Sequence, residues 1–555
     1  ETHPTVPASL EMGPGGKGGT ESLMEGNQCI IREKMQYHRA LCLPLQLVYP
    51  SDFQLTDKEK SSICYLSFPD SHSGCLGDTQ FSFRMRQCGG RRSPWHADDR
   101  NYNSRAPVAL QRESAHYLGY VYFRQVKDSS VKRGYFQKSL VLVSRLPFVR
   151  LFQSLLNLVA PEYFEKLAPC LEAVCNEIDQ WPAPVPGQTL NLPVMGVVIQ
   201  VRIPSKVDGP ESSPPKQCDQ ENLLPAPTVL ASVHELDLFR CFRPVLAHVQ
   251  MLWELMLLGE PLVVLAPSPD MSSELVLALT SCLQPLKFCC DFRPYFTVHD
   301  SEFKELTTRT QPQTVVFSRH LSQLSSPVSR AVRLGKAGLG GCYSSDLPTG
   351  LYTSFTAHLH RDKALLKRLL KGVHKKRPWD AQSALLRQRL LELTQSFIIP
   401  LEHYMTSLMP LQKNITPWKT PPQIRPFRQD EFLRSLEHAG PQLTCILKGD
   451  WLGLYRRFFK SPHFDGWYRQ RHKEMAQKLE ALHLEAICEA NIESWMKDKS
   501  EVEVVDLVLK LREKLVRAQC HQLPVKEVTL QRAQLYIKTV ICSLPKDLQA
   551  VLCPP

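Results

Sequence analysis

The chain of 555 residues contains no apolar run approaching the roughly 18 residues that a membrane-spanning helix requires. Its opening residues carry Pro, Gly and Glu where a secretory signal would be apolar, so a cytosolic protein is expected. Paired Cys-x-x-Cys motifs, Gly-x-Ser-x-Gly and His-Glu-x-x-His are all absent. Their absence argues against a zinc ribbon, a hydrolase nucleophile elbow and a zinc-protease helix. Two glycine-rich patches, GPGGKGG from Gly13 and GKAGLGG from Gly335, mimic a phosphate loop. Neither follows its lysine with Ser or Thr, and no strand precedes the first, so both read as loops. No metal and no cofactor is expected.

Cysteine is abundant rather than scarce. The 18 cysteines are irregularly spaced, as in Cys170 with Cys175 or Cys289 with Cys290, and the histidines complete no zinc set. Reduced, mostly buried thiols are the expectation. The net charge of +12 suits acidic partners, but it is spread along the chain and aromatics do not interleave with the basic residues. Nucleic acid is therefore not an expected partner. With 43% hydrophobic and 22% charged residues, the composition supports large cores, roughly three or four domains of about 150 residues.

The stretch Phe239 to Asp300 organises the rest. Phe239 to about Leu258 is apolar on nearly every side and predicts one buried helix ended by Gly259. Pro261 to Ala266 predicts a strand covered on both faces. A helix capped by Asp270 or Ser272 follows and runs to about Leu283, with Glu274 in its first turn; Pro285 breaks it and Arg293 to Val298 predicts a second strand. Helix, strand, helix, strand in this order predicts an α/β module with a mostly parallel sheet.

Before this stretch, residues 1–42 predict disorder. Residues 43–180 predict an α+β module: short strands at Leu43 to Val48 and Ile63 to Phe68, a half-buried strand in TQFSFRMR, a hairpin of His116 to Val126 with Lys138 to Ser144, then helices over Pro147 to Val159 and Tyr163 to Ile178. Residues 181–222 predict a Pro-punctuated connection leading into a strand and then a polar linker. Residues 223–360 hold the α/β module. Residues 361–555 predict helices: a stripe from Leu386 to Leu408 with a kink at Pro400, Trp467 to Ile487, one marked by Val504, Val508, Leu511 and Leu515, and Leu530 to Leu544 as the last.

Several long motifs in order, GEPLVVLAPSP, DFRPYFTVHDSEF and ELTTRTQ, resemble the central module of a DENN domain. The resemblance covers about Leu47 to Pro555 and lies within the sixth DENN-domain subfamily, nearer its B-type than its A-type branch. It implies a longin-like antiparallel first module for 43–180, a central α/β DENN module for 223–360 and a helical remaining DENN part. Two places depart from the family's pattern. The opening strand before Leu47 is missing or replaced, and 315–345 lacks a Gly-Val-Thr-Asn-Pro-Phe-Phe turn.

The resemblance also implies a function: guanine nucleotide exchange on a Rab small GTPase, the fourteenth Rab first and the thirty-fifth more weakly, at the recycling endosome. An exchange factor breaks no covalent bond, so it needs no catalytic triad. Asp291, Arg293, Tyr295, Thr297, His299 and Asp300 are the expected contacts to the GTPase switch loops, with Arg293→Glu abolishing exchange in a folded protein. The alternative is a non-catalytic Rab effector or trafficking adaptor, told apart by preference for the GTP form. Finally, Arg361 to Arg377 places Lys367, Arg368, Lys371, Lys375 and Lys376 at helical spacing. Such a run is ordinarily a solvated face; its sharper reading is peripheral contact with anionic membrane lipid.

Overall fold

A computed structural model of the chain describes residues 29–34, 45–49, 55–69, 77–88, 96–130, 134–166, 168–208, 228–230, 236–297, 300, 302, 330–333, 350–417, 419–439, 447–497, 499–520, 523 and 525–552. The described residues divide into two compact units: those within 1–246, 261–281 and 291–354, and those within 247–260, 282–290 and 355–555.

The first unit is built on a five-stranded antiparallel sheet. Its strands are β1 (Cys29–Lys34), β2 (Leu45–Tyr49), β3 (Gly77–Arg86), β4 (His116–Lys127) and β5 (Tyr135–Ser144), in the order β2-β1-β5-β4-β3. Successive strand residues point to opposite faces, and both faces are apolar here. On one, Tyr120, Tyr122, Leu140 and Leu142 pack against α3 (Val149–Lys166) and α4 (Ala168–Asp179) through Phe152, Leu155, Val159 and Leu171. On the other, Phe81, Phe83, Val121, Phe123, Val141 and Val143 meet Ile63 and Leu66 of α1 (Asp57–Leu66) together with Tyr295 and Phe296. Helix α2 (His96–Arg105) lies between β3 and β4 in sequence.

Two expectations fail in this sheet. Cys29–Lys34, expected to be disordered, forms β1 between β2 and β5, so an opening strand is present. Ile63 to Phe68, expected as a strand, is the end of α1 and its cap. The cause lies upstream: Thr56 Oγ1 accepts from Glu59 N at 3.3 Å while Thr56 N donates to Glu59 Oε2 at 2.9 Å, a reciprocal box that starts a helix.

The rest of the first unit carries two small sheets. Strands β6 (Thr189–Val194) and β7 (Val197–Arg202) form a hairpin that β8 (Thr228–Leu230) joins in parallel. Strands β9 (Val263–Leu265), β10 (Arg330–Arg333) and β11 (Gly350–Thr353) form the other, with β9 and β10 parallel and β10 and β11 antiparallel. The mostly parallel central sheet is thus reduced, among the described residues, to one parallel pairing. Helix α5 (Leu238–Phe242) and helix α7 (Pro269–Ser281) complete the unit. Asp270 and Ser272 lie inside α7 and do not cap it: Ser272 N donates to Ser268 O, which puts the helix start earlier. Arg293 to Thr297 is irregular rather than a strand.

The second unit is helical. Its α6 (Val249–Leu258) is separated from α5 by a 3-10 turn at Arg243–His248, where Pro244 cannot donate and Val245 leaves helical geometry. The single helix expected over Phe239 to Leu258 is therefore two. Gly259 ends α6 at φ 66°, as expected. Then come α8 (Lys363–His374), α9 (Trp379–Ser407), α10 (Gln429–Ala439), α11 (Trp451–Phe458), α12 (Pro462–Glu489), α13 (Ile492–Met496), α14 (Glu501–Cys520), α15 (Glu527–Ser543) and α16 (Lys546–Leu552). The helix expected to be last, α15, is followed by α16.

Aromatic packing joins these helices. Phe397 stacks on Tyr455 with centroids 4.2 Å apart, and Phe432 meets Tyr455 edge-on at 5.2 Å. The Tyr455 hydroxyl donates to Phe397 O at 2.7 Å, in the turn before Pro400 that the proline crowds. Buried Glu254 accepts from His358 N at 2.8 Å and Leu359 N at 3.0 Å. Burial pushes its carboxyl up to about 7, against the pull of those two bonds.

Fully buried His463, near the start of α12, accepts from Cys289 N at Nδ1 (3.0 Å). Burial lowers its pKa from 6.5 to about 4, so the folded unit holds the ring neutral. Stability from this group is complete above pH 6.5 and is lost as pH falls from 6.5 through 4, by about 3 kcal/mol. His463→Gln keeps an acceptor for Cys289 N without a titrating ring. Thermal unfolding at pH 7 and pH 4.5 is expected to show a smaller acid loss in the variant than in the wild type. Equal acid losses would remove His463 from the acid response.

Candidate functional site

Of the residues singled out in Asp291 to Asp300, Asp291 and Arg293 meet in one ion cluster inside the first unit, and Asp300 bonds to Glu302 of the same cluster. Strand β3 alternates apolar residues toward α1, and its last residues insert Arg84 and Arg86 where the segment 291–302 crosses. Arg84 Nη1 donates to Asp291 Oδ1 at 2.7 Å, and its Nη2 lies 3.3 Å from Glu113 Oε2. Arg293 Nη1 donates to the Arg84 carbonyl at 2.8 Å. Arg293 Nη2 reaches Asp291 Oδ2 at 3.1 Å and Glu302 Oε2 at 2.5 Å. Arg86 adds longer contacts to Asp291 (3.9 Å) and Glu302 (3.8 Å). Three guanidiniums and three carboxylates thus share one cluster, which balances charge that would be costly to bury singly.

Exposure decides what these groups can do. Arg293 is 1% exposed, Tyr295 2%, Thr297 4% and Asp300 6%. Tyr295 donates its hydroxyl to Phe68 O at 3.0 Å and meets the Phe81 ring edge-on at 4.9 Å. Asp300 Oδ1 accepts from Glu302 N at 2.7 Å, closing the turn that brings Glu302 back to Arg293. Asp291 is nearly buried as well. Side chains so placed fix the path of the segment. The expectation that Arg293→Glu leaves the fold intact does not survive this geometry. His299 lies outside the described residues.

Titration follows the same environment. Burial works to raise the Asp291 carboxyl, but Arg293 and Arg84 outweigh it and hold the group below its ordinary value. At Asp300 burial outweighs the opposing pull of the Glu302 N–H and of Arg293 and pushes the carboxyl up to about 6. His116 Nε2 lies 3.6 Å from Asp291 Oδ1; burial and then Arg84 press its pKa down, so it is neutral.

Arg84, Arg86, Glu113 and His116 were not anticipated. A signal for two of them exists: Arg84 and Arg86 interrupt an apolar alternation in β3, and a buried arginine requires an anion. Glu113 and His116 carry no comparable mark. Of the basic run, Lys367, Arg368 and Lys371 are exposed on α8, while Lys375 and Lys376 are exposed just beyond its end. Among the described residues no cluster of His, Cys, Asp and Glu could hold a metal ion. Among them, too, no helix is long and apolar enough to cross a membrane.

Asp291 and Arg293 of this cluster fall within a recognised domain, whereas Arg84, Arg86, Glu113 and Glu302 lie outside its bounds. The profile of the DENN (AEX-3) domain matches residues 135–299, from β5 through the buried segment. The DENND6 C-terminal domain matches residues 492–555, which span α13 to α16. Over 95% of its length the chain is 82% identical to Protein DENND6B of Mus musculus, covering 92% of it. It is 80% identical to Protein DENND6B of Homo sapiens with the same coverage. With Protein DENND6A of Gallus gallus it shares 54% over 94% of this chain and 92% of that one. The molecule is a DENN-domain protein, and the chain belongs to the DENND6 family.

Proposed function

We propose that this protein is a guanine nucleotide exchange factor for a Rab small GTPase, with the fourteenth Rab as its main substrate, the thirty-fifth as a weaker one, and endosomal recycling as its setting. Membership of the DENND6 family is the observation that carries this reading. Exchange by binding alone is a linkage problem. A factor that binds the nucleotide-free GTPase more tightly must weaken nucleotide binding by the same ratio. Loosening the nucleotide about 10⁵-fold takes roughly 7 kcal/mol, which an interface of about 800 Å² per partner can supply through mobile switch loops.

On this reading residues 43–180 act as a longin-like module and 223–360 as the central DENN module. Asp291, Arg293, Tyr295, Thr297 and Asp300 then serve GTPase binding by holding the segment in place, not by touching the switch loops; their burial supports that role. His299 is proposed for the same stretch from its position alone.

The competing assignment, a non-catalytic effector, is separated by nucleotide state. Immobilised Rab, stripped of nucleotide, loaded with GDP or loaded with a non-hydrolysable GTP analogue, is expected to retain this protein best in the first form. Preferential retention by the GTP form would replace exchange with an effector role.

A further inference from the structure

The helix α8 and the turn after it carry an unbalanced charge. From Lys363 to Trp379 the sequence holds seven lysines and arginines and no Asp or Glu. Some exposed cations elsewhere have a carboxylate one helical turn away, as Arg469 has Asp465 at 2.7 Å and Lys510 has Asp506 at 2.5 Å. Among the described residues, Lys367, Arg368, Lys371, Lys375 and Lys376 have no carboxylate within ion-pair distance, although all five are exposed. An ordinary solvated face would mix the two signs.

The other side of α8 is fixed. Leu369 and Gly372 are buried, and a Cβ on Gly372 would come within 2.2 Å of the Gln382 side chain of α9. The helix therefore sits tightly on α9 and presents its remaining surface outward. That surface is not purely polar. Leu370 is 47% exposed and Val373 36%, three residues apart on one flank; Leu370 lies one turn from both Lys367 and His374. Trp379, at the start of α9, is 45% exposed.

The connection is also rigid. Lys376 takes φ 50°, with Lys376 N donating to Val373 O and Arg377 N to Gly372 O, both at 3.0 Å. This is the helix-ending turn that usually uses glycine, because a side chain there is strained. Here the position carries a lysine, and so keeps a charge among the others.

We propose that α8 and its closing turn form a membrane-docking element that lies flat on an anionic lipid surface. Lys367, Lys371, Lys375 and Lys376 meet the headgroups; Leu370, Val373 and Trp379 enter the interfacial layer. Charge complementarity selects an anionic surface. The exposed leucine, valine and tryptophan select lipid over a soluble polyanion, since an indole favours the boundary between headgroup and chain. This element belongs to the second unit and the buried cluster to the first, and its test reads lipid binding without any Rab.

The test is co-sedimentation of the full chain with vesicles of phosphatidylcholine alone or mixed with phosphatidylserine. Binding is expected only to the mixed vesicles. It should weaken about fivefold for each exposed cation removed, read in Lys367→Gln and Lys367→Gln/Lys371→Gln. Trp379→Ala should weaken it further without changing its salt dependence. Unfolding temperatures equal to wild type confirm that these exposed changes leave the fold intact. Equal binding to both vesicles, or indifference to the lysine changes, overturns the proposal. Full sensitivity to the lysines with none to Trp379, and complete competition by RNA, would assign the face to a soluble polyanion and overturn it equally.

Discussion

Arg293→Glu is expected to unfold the first unit rather than produce a folded, inactive protein. The wild-type guanidinium donates to the Arg84 carbonyl and to two carboxylates, Asp291 and Glu302, with almost no solvent contact. Removing one partner of a buried set leaves uncompensated charge, at about 3–5 kcal/mol. The glutamate adds a third carboxylate to the two already there, so the loss should reach at least that range. Soluble yield should collapse, or the unfolding temperature should fall by about 10 °C. Arg293→Lys should be intermediate, because a single ammonium cannot span three acceptors set by a planar fork. A wild-type unfolding temperature for Arg293→Glu would show that the cluster does not hold the segment.

Gly119→Ala is expected to have an effect of comparable size, from sterics instead of charge. Gly119 in β4 pairs with Phe83 in β3. The phenyl ring folds over the glycine, and an added Cβ would lie 2.1 Å from Phe83 Cζ. Phe83 is completely buried and belongs to the core beneath α1, so the ring has no free space into which to swing. Overpacking of this kind costs about 1–3 kcal/mol and occasionally more. The cause can be isolated by coupling: on a Phe83→Leu background the same Gly119→Ala change should cost much less. Additive losses in the double variant would place the cause elsewhere than in this ring.

These two positions show what the sequence discloses and what it hides. The hairpin of β4 and β5 was legible because its apolar residues alternate and a polar turn separates its arms. The helices α3, α4 and α9 were legible from their period, but not the α3–α4 boundary: α3 runs on past Val159 and through Pro161 to Lys166, and α4 begins at Ala168 rather than Tyr163. The Thr56–Glu59 box is legible too, and in the fold it outweighs the β-branched and aromatic look of Ile63 to Phe68. Pro244 likewise marks the break between α5 and α6. The role of Asp291 and Arg293 was not legible, because polar residues interleaved with aromatics look alike whether they line a surface or a buried ion cluster. The distinction rests on Arg84, some two hundred residues earlier in the chain, and no local pattern links the two. Gly119 gave no sign either: a glycine within a strand has several uses, and only the ring opposite it reveals which one applies.

The family assignment and the buried cluster support one account, in which a rigidly held DENN segment lets a broad surface displace nucleotide from a Rab. The direct measurement is release of a fluorescent GDP analogue from a panel of purified Rabs, with and without this protein, in the presence of excess unlabelled nucleotide. The account predicts strong acceleration on the fourteenth Rab, weaker acceleration on the thirty-fifth, and none on most others. Release at the intrinsic rate from every member of the panel would contradict it.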